Sequence, residues 1–311
     1  MSGQLSPKAP PSVGIIVVNY NSESFVREFA ESLRNVDFPN FRVIIVDNAS
    51  TDGSPDILRE FLPDAVFIPL HENTGTAGGN NIGFRYCAKH EHDFALALNN
   101  DTVLTPDFLS KLVDAADERT IVVPKILYHY DRSLISTHAG GFDWRFGRFR
   151  DTYHGRPDGP ATGRPRDLET ASFCCALIPV AAFRDVGMLD ERFFMYYEET
   201  DWLRRALAKG YRLRYVPGAV VYHMESGSSG GGWMTPFKLY YATRNRLYLV
   251  HKNQQSRLWF ALFTVYFLAG RLPYLALYAA RRQGRMLRAM LLGVWHYYRG
   301  KMGRTLEVGR L

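Results

Sequence analysis

The sequence has little cysteine, and none of it is arranged as a staple or a zinc site would require. Its 311 residues include three cysteines, Cys87, Cys174 and Cys175, and no CxxC pair or Cys/His zinc spacing. This pattern excludes a disulfide framework and favours a reducing, cytoplasmic compartment. A chain of this length can bury a substantial core without covalent support.

An export signal, a phosphate-binding P-loop and internal repeats are also missing from the sequence. Residues 1–11 are polar and contain proline, so we expect a protein that is not exported. The glycine-rich segment GTAGGNNIG, residues 75–83, lacks the Lys-Ser/Thr of a Walker A motif and the GxGxxG order. We expect its glycines to let the backbone approach a ligand, with Asn73, Asn80 or Asn81 hydrogen-bonded to that ligand.

Acidic residues are nearly absent from the last quarter of the chain. Residues 233–311, called the basic tail below, hold 14 Lys and Arg against the single acidic Glu307 and so carry +13, whereas the first 232 residues carry −6. This asymmetry indicates an anionic partner. Because the basic residues are interleaved with long apolar runs, we expect the inner surface of the cell membrane and not nucleic acid.

One stretch of the basic tail is mostly apolar and long enough to reach across a bilayer. It covers residues 258–280, but Arg271 and Pro273 interrupt it, so we expect a segment that lies in the membrane plane or re-enters it. A helical hairpin in a protein core is the alternative, since apolar residues at helical spacing usually mean packing. The flexible run SGSSGGG at residues 226–232 predicts a boundary between a catalytic domain, residues 1–232, and a helical membrane-associating region, residues 233–311.

Apolar, β-branched runs alternate with helical patterns along the first part of the chain. We predict strands at residues 13–18, 41–46, 65–69, 94–98, 121–123, 171–178, 212–216 and 219–223, and helices at residues 22–33, 54–62, 78–90, 106–116, 181–186 and 200–209. Residues 128–166 are interpreted as a variable loop region. The alternation predicts an α/β fold, with a doubly wound, mostly parallel sheet flanked by helices.

Polar residues follow two of the predicted strands. Asp47 comes at the end of a strand, where open α/β sheets bind ligands, and its carboxylate can accept from a ribose hydroxyl or a base N–H. Asp101, in the turn Asn99-Asn100-Asp101 after the strand at 94–98, is a candidate ligand for Mg²⁺ or Mn²⁺, which take carboxylate, phosphate and water oxygens. Helix capping is an ordinary alternative role for both turns.

Acidic residues are concentrated at the predicted start of a helix in the sequence EETDW, residues 198–202. They follow the aromatic run FFMYY, and partial burial there would raise the pKa of a carboxylate, as suits a general base. The alternative is that the helix dipole alone favours acids at this position. His223, at the end of a predicted strand, is a candidate metal ligand, although a lone histidine is more often structural.

In chain order, five segments together resemble glycosyltransferase family 2. They are VVNYN (17–21), VDNASTDGS (46–54), ENTGTAGGNNIG (72–83), LNND (98–101) and FFMYYEETDW (193–202). The stretch YYATRNRLYLVHK, residues 240–252, makes the chain most similar to rhamnosyltransferase-like members that build bacterial surface polysaccharides. The resemblance implies a GT-A fold for the part of the chain that precedes the helical, basic and apolar C-terminal extension.

The resemblance also implies a role for each matching residue. It assigns nucleotide-sugar binding to Asn19, Asn21, Asp47, Asn73, Gly75, Asn80 and Asn100, metal binding to Asp101 and His223, catalysis as the base to Glu199, and support of the acceptor and of helix geometry to Glu198, Asp201 and Trp202. Two positions depart from the family pattern: Asn99 replaces the first carboxylate of a DxD element, and Glu199 stands where Asp is commoner.

These assignments predict an inverting, metal-dependent glycosyltransferase. Its expected cofactor is Mg²⁺ or Mn²⁺, its donor a dTDP- or UDP-linked sugar, and its acceptor a saccharide or a polyprenyl-linked saccharide. Two alternatives stay open. A catalytically inactive, membrane-attached scaffold of the same fold is compatible with Asn99, whereas a nucleotidyltransferase would need a basic, glycine-rich loop where this chain has Asn19-Tyr20-Asn21-Ser22.

Overall fold

The chain folds into a mixed β-sheet with helices on both faces, followed by further helices. The computed structural model describes residues 9–136, 139–150, 152–225, 234–254 and 256–306. The strands are β1 (Val13–Asn19), β2 (Phe41–Asp47), β3 (Val66–Pro69), β4 (Phe94–Leu98), β5 (Thr102–Leu104), β6 (Thr120–Tyr128), β7 (Ala139–Asp143), β8 (Arg148–Arg150), β9 (Arg166–Asp167), β10 (Thr170–Ala171), β11 (Cys175–Pro179) and β12 (Arg212–His223). The helices are α1 (Val26–Arg34), α2 (Ser54–Phe61), α3 (Gly75–Lys89), α4 (Phe108–Ala115), α5 (Ala181–Val186), α6 (Glu198–Ala208), α7 (Pro236–Asn253), α8 (Arg257–Ala269), α9 (Leu272–Ala280) and α10 (Gly284–Tyr298), with a 3₁₀ turn at Glu191–Phe193.

The main sheet has the strand order β3-β2-β1-β4-β11-β6-β12-β5, and β9 pairs with β12. Strands β1 to β4 are parallel, β11 runs antiparallel between β4 and β6, and β12 is parallel to β6 but antiparallel to β5. A smaller sheet has the order β10-β7-β8. The predicted α/β class, with a mixed and mostly parallel sheet flanked by helices, is confirmed.

Alternate residues of the central strands enter two separate cores. On β1, Ile16 packs into the core with α3 and α6, whereas Ile15 and Val17 pack into the core with α1, α2 and α4. Because both faces of the strand are covered, its sequence reads as one apolar run without polar alternation. The carboxyl ends of β1, β2 and β4 therefore meet at one polar edge, where the site lies.

Several predicted boundaries were wrong for local physical reasons. Helix α1 begins at Val26 and not at residue 22, because the Ser22 hydroxyl donates to Asn19 Oδ1 instead of capping the helix. The strand predicted at 171–178 is divided into β10 and β11, and the two predicted at 212–216 and 219–223 form one strand with a bulge. The region 128–166, interpreted as loop, contains β7 and β8.

The C-terminal helices differ sharply in burial. Helix α7 packs against the α/β core, with Leu249 beside Phe142 and Phe193. The stretch Arg257–Ala280, by contrast, is long and apolar enough, by length and composition, to cross a membrane, and only 11% of its most apolar part is buried. Leu258 and Val265 are 69% and 67% exposed, whereas Phe263 and Phe267 are buried, so one side of this stretch packs on the protein and the other is exposed. The predicted boundary at residues 226–232 lies outside the described residues.

Candidate functional site

A buried hydrogen-bond network joins the ends of β1, β2 and β4. Asn19 Nδ2 donates to Asp47 Oδ1 over 2.9 Å, and Asn19 Oδ1 accepts from Asn100 Nδ2 over 2.8 Å. Ser50 and Ser54, on the β2–α2 turn, also contact the Asn19 amide. The three predicted residues Asn19, Asp47 and Asn100 are therefore brought together.

Within this network, Asn19 and Asn100 differ from Asp47 in how their polar atoms are used. Asn19 is fully buried, and both ends of its amide are used within the network, where it holds Asp47 in place; its contact with a nucleotide stays a prediction. The Asn100 amide nitrogen likewise serves the network, donating to Asn19 and Ser22. Asp47 keeps a small exposed area, and its Oδ1 also accepts from the Ser50 hydroxyl, so its carboxylate is held rigidly at the sheet edge.

Asn21 lies at the rim of the same edge and shapes the neighbouring turn. Its backbone has a φ of 47°, in the left-handed region that asparagine tolerates, and its Oδ1 accepts from the Thr51 amide over 2.8 Å. Ala49, on the opposite turn, has a φ of 63°. Strained residues on both sides of Asp47 are typical of a ligand site.

Helix α3 begins at Gly75 and is tied to the end of β2. Asn48, which the sequence analysis did not single out, accepts from the Thr74 amide and donates to the Gly75 carbonyl. Asn73 Oδ1 accepts from the Gly75 amide over 2.8 Å, and Asn80 Nδ2 donates to the Thr76 carbonyl. Asn73 and Asn80 therefore fix the helix start.

The glycines of α3 let the helix approach other parts of the protein, and their predicted approach to a ligand stays a prediction. A Cβ on Gly79 would lie 2.7 Å from Val18, and one on Gly83 would lie 2.3 Å from Ile16. At Gly75, with a φ of +74°, a Cβ would lie 2.1 Å from the Phe194 carbonyl oxygen. Asn81 bonds to Leu189 and Glu191, so it too contacts protein.

Asp101 and His223 form a pair beside this edge. The antiparallel pairing of β5 with β12 sets Thr102 opposite His223, and His223 Nε2 lies 3.1 Å from Asp101 Oδ1. The other ring nitrogen lies 3.1 Å from the Ser136 hydroxyl, which donates to Glu225. Asp101 and His223, 122 positions apart in sequence, are thus brought together as predicted.

This pair fits a divalent cation that takes its other ligands from a substrate. Neighbouring ligands of an octahedral Mg²⁺, each at roughly 2.1 Å from the ion, stand about 3 Å apart, which matches the spacing of the Asp101 and His223 atoms. No cluster of three or more His, Cys, Asp or Glu suited to a metal occurs among the residues that the structure describes. Diphosphate and water oxygens would have to complete the coordination.

Proton binding competes with metal binding at His223. Burial disfavours the charged imidazolium, but Cys174 and Asp101 outweigh it and hold the pKa of His223 well above its usual value. Because a metal needs the neutral imidazole, cation binding here would release a proton.

Glu198 and Glu199 lie side by side at the start of α6. Burial first, and then the charge of Glu199, raise the pKa of Glu198 well above its usual value. Burial raises the pKa of Glu199 to about 7, partly offset by backbone and Glu198 hydrogen bonds. The Oε2 atom of each is enclosed and has no hydrogen-bond partner in the described part of the chain. Glu198 is therefore held neutral, and Glu199 is poised between its two forms near neutral pH.

The segment before these acids has an unusual backbone. Phe194, Tyr196 and Tyr197 have φ values of 67°, 67° and 72°, a region that costs energy for aromatic residues. The Phe194 carbonyl accepts from the Ala77 amide in the first turn of α3. The start of α3 and the Glu198–Glu199 pair are thereby linked through one strained segment.

Helix α7 holds that segment in place through two residues, Arg244 and Asn245. The sequence analysis did not single them out as parts of the site. Asn245 Nδ2 donates to the carbonyls of Phe193 and Met195, at 2.8 and 2.7 Å. Arg244, fully buried, donates to the Phe193 carbonyl and to Gly303. The signal available in the sequence was the polar triplet Thr243-Arg244-Asn245 between the aromatic and aliphatic residues of this helix.

Asp201 and Trp202 are both fully buried, and their predicted support of the acceptor stays a prediction. Asp201 pairs with Arg205 on its own helix and with Lys252 on α7, at 3.1 and 2.8 Å. Trp202 Nε1 donates to the Gly187 carbonyl. Both residues fix the helix that carries Glu199.

Known proteins are similar to this chain in sequence and in fold. A family model described as "Glycosyl transferase family 2" matches residues 14–187. The putative glycosyltransferase EpsH of Bacillus subtilis (strain 168) is 35% identical over 115 residues, covering 36% of this chain and only 33% of that protein. The N-acetylglucosaminyl-diphospho-decaprenol L-rhamnosyltransferase of Mycobacterium tuberculosis (strain ATCC 25618 / H37Rv) is 27% identical over 242 residues, covering 70% of this chain and 77% of that one.

A solved structure extends the likeness to the fold. Mannosyltransferase PcManGT from Pyrobaculum calidifontis, in complex with GDP-Man and Mn²⁺, matches with a TM-score of 0.56 over 95% of this chain and 89% of that one. The sequences are 16% identical, so the likeness is one of fold alone.

Proposed function

Because the chain belongs to glycosyl transferase family 2, we propose that it moves a sugar from a nucleotide diphosphate donor to a polyprenyl-linked saccharide, with inversion at the anomeric carbon. It is a glycosyltransferase with a GT-A fold, similar to rhamnosyltransferases of bacterial polysaccharide synthesis. The proposed donor is a dTDP- or UDP-linked sugar, with rhamnose as the first candidate because a relative is named for it.

The observation that carries the proposal is the Glu198–Glu199 pair. A carboxylate with a pKa of about 7 accepts protons efficiently at neutral pH, and the Oε2 atom of Glu199 has no hydrogen-bond partner among the described residues. The strained segment connects this base to the start of α3 and, through Asn48, to the sheet edge at Asp47. The base and the nucleotide-binding edge therefore belong to one rigid structure.

We derive a single displacement from these positions. Glu199 takes the proton of an acceptor hydroxyl as its oxygen attacks the anomeric carbon, and the nucleotide diphosphate leaves with the electron pair of the broken bond. Glu198 stays protonated, so the pair offers one base and no second nucleophile. Asp47, held by Asn19 and Ser50, orients the nucleoside. A divalent cation on Asp101 and His223 would supply positive charge that stabilises the departing diphosphate.

We also propose that the protein is cytoplasmic and lies on the inner surface of the cell membrane. The exposed apolar residues of α8 and α9 and the net charge of the basic tail support this placement. A membrane-bound enzyme meets a polyprenyl-linked acceptor where that acceptor resides. An inactive scaffold of the same fold would not need a carboxylate tuned to neutral pH, which disfavours that alternative.

The test is a donor panel with the full chain, Mn²⁺ and a polyprenyl-diphosphate-linked saccharide. We expect acceptor-dependent release of nucleotide diphosphate from one of the UDP-, GDP- and dTDP-sugars, and a product whose anomeric configuration, read by NMR coupling constants, is opposite to that of the donor. A product with retained configuration would contradict the single displacement. If a nucleotide-sugar binds but none of them is turned over, the alternative of an inactive scaffold of the same fold would be favoured.

A further inference from the structure

An apolar groove lies between the C-terminal helices on their exposed side. Its volume is about 320 Å³, and it is bounded by the end of α8, by α9 and by α10. The apolar residues that line it include Leu268, Leu272, Leu275, Leu291, Val294 and Trp295. The only charged side chain in its lining is Arg271.

Arg271 is one of two arginines that converge on the same aromatic ring. Its guanidinium lies 4.5 Å from the centre of the Phe267 ring, and that of Arg246, from α7, lies 5.3 Å from it. The Nε atom of each arginine is buried without a hydrogen-bond partner, and no acidic side chain pairs with either among the described residues. Arg246 Nη2 also donates to the Phe146 carbonyl over 2.6 Å. The two positive charges still repel one another, and an anion beside the pair would offset that repulsion.

The arginine pair also borders the proposed catalytic base. Tyr197 directly precedes Glu198, and burial raises the pKa of its hydroxyl, while the charges of Arg246 and Arg271 partly offset that rise. The charge of Glu199 also raises the pKa of the Tyr197 hydroxyl. The two arginines and Glu199 are therefore grouped around one tyrosine.

We propose that the groove and the arginine pair bind the lipid diphosphate of the acceptor, with the isoprenoid chain in the groove and the phosphates on Arg246 and Arg271. The inference rests on the proposed function and deepens it by locating the acceptor. Two adjacent cations match the two phosphates of a diphosphate, and guanidinium groups bind phosphate oxygens in pairs. A chain anchored this way places its first sugar toward Tyr197 and Glu199.

The experiment uses the detergent-solubilised full chain and three probes: farnesyl diphosphate, farnesol and inorganic diphosphate. Arg271→Gln should weaken farnesyl diphosphate binding about tenfold or more in equilibrium dialysis, the factor expected for losing a charge-assisted hydrogen bond, with farnesol binding unchanged. Leu291→Asn, at a half-exposed groove position, should weaken both isoprenoid probes and leave inorganic diphosphate unchanged. The matched control is Arg257→Gln, an exposed arginine at the start of α8 that does not line the groove.

Two outcomes would overturn the inference. One is equal farnesyl diphosphate affinity in the wild type, Arg271→Gln and Arg257→Gln. The other is loss of binding to anionic phospholipid vesicles in Arg271→Gln without any preference for the isoprenoid diphosphate, which would assign the arginine to the membrane surface. Nucleotide-sugar binding is measured on the same samples: if it is intact while the lipid probes fail, only this inference fails, whereas its absence from the wild type contradicts the proposed function.

Discussion

At the scale of single residues, the proposed base depends on a neighbour that does not itself react. Burial and the charge of Glu199 raise the pKa of Glu198 well above its usual value, so Glu198 holds the shared proton and donates to the Glu199 carboxylate. That hydrogen bond opposes the effect of burial on Glu199. Glu198 is thus a positioning residue that keeps the base usable at neutral pH.

This relation predicts the pH dependence of turnover. A protonated Glu199 cannot accept a proton, so kcat should fall as the pH falls through about 7. The Glu198→Gln variant, which imitates the protonated carboxyl, should keep the profile, whereas Glu198→Ala should move its midpoint up by about one pH unit, because it removes a charge-assisted hydrogen bond. The measurement is kcat against pH for the three proteins. Identical profiles for Gln and Ala would show that Glu198 does not tune the base.

The same carboxyls affect folding stability in the opposite sense. The folded pKa of Glu199 is raised above its ordinary value of 4.5, so its neutral form contributes stability that is fully present below pH 4.5 and is lost as the pH rises through about 7. Catalysis therefore needs the ionised form that the fold disfavours, which is a common trade between stability and function.

At the scale of secondary-structure elements, α7 belongs with the catalytic core. It holds the strained segment through Asn245, and Lys252 contacts Asp201 on α6. Helices α8 and α9 are different, since most of their large apolar side chains are exposed, although Phe263 and Phe267 are buried. The C-terminal helices therefore differ in role: α7 shapes the site, and α8 and α9 contact the proposed membrane.

The exposed face of α8 gives a direct test of membrane association. We expect the full chain to sediment with anionic phospholipid vesicles at low salt. The double variant Trp259→Ser, Val265→Ser should bind these vesicles at least about tenfold more weakly, because two large exposed apolar groups are lost. The control is Tyr130→Ser, which removes a 72% exposed aromatic residue from the α/β part of the chain. Full recovery of the wild type in the soluble fraction, without detergent, would count against the placement.

At the scale of the whole molecule, sequence patterns predicted the sheet and most of its helices because apolar runs and polar strand ends are local features. They also predicted that Asp47, Asp101, His223 and Glu199 carry the site. They could not separate a residue that contacts a ligand from one that supports it. Asn19 and Asp201 look like ligand residues in sequence, and only the packing of distant elements makes them internal.

The features that the sequence did not predict depend on contacts between segments far apart in the chain. The contact of Gly75 with Phe194 and that of Asn245 with Phe193 each join segments far apart in the chain, and no local pattern signals them. Gly79 and Gly83 of α3 pack closely on β1, and no local pattern separates such glycines from ones that approach a ligand. Strain at Tyr197 was equally invisible, because aromatic residues rarely adopt a positive φ.

The central claim is that Glu199 is the base and that Asp101 serves the donor. The most direct measurement compares donor affinity with turnover for Glu199→Gln and Asp101→Ala, using the active donor and Mn²⁺. We predict that Glu199→Gln keeps donor affinity within about twofold while kcat falls by roughly a hundredfold or more, as when a general base is removed, and that Asp101→Ala weakens the metal-dependent part of donor binding. Full turnover in Glu199→Gln would contradict the account.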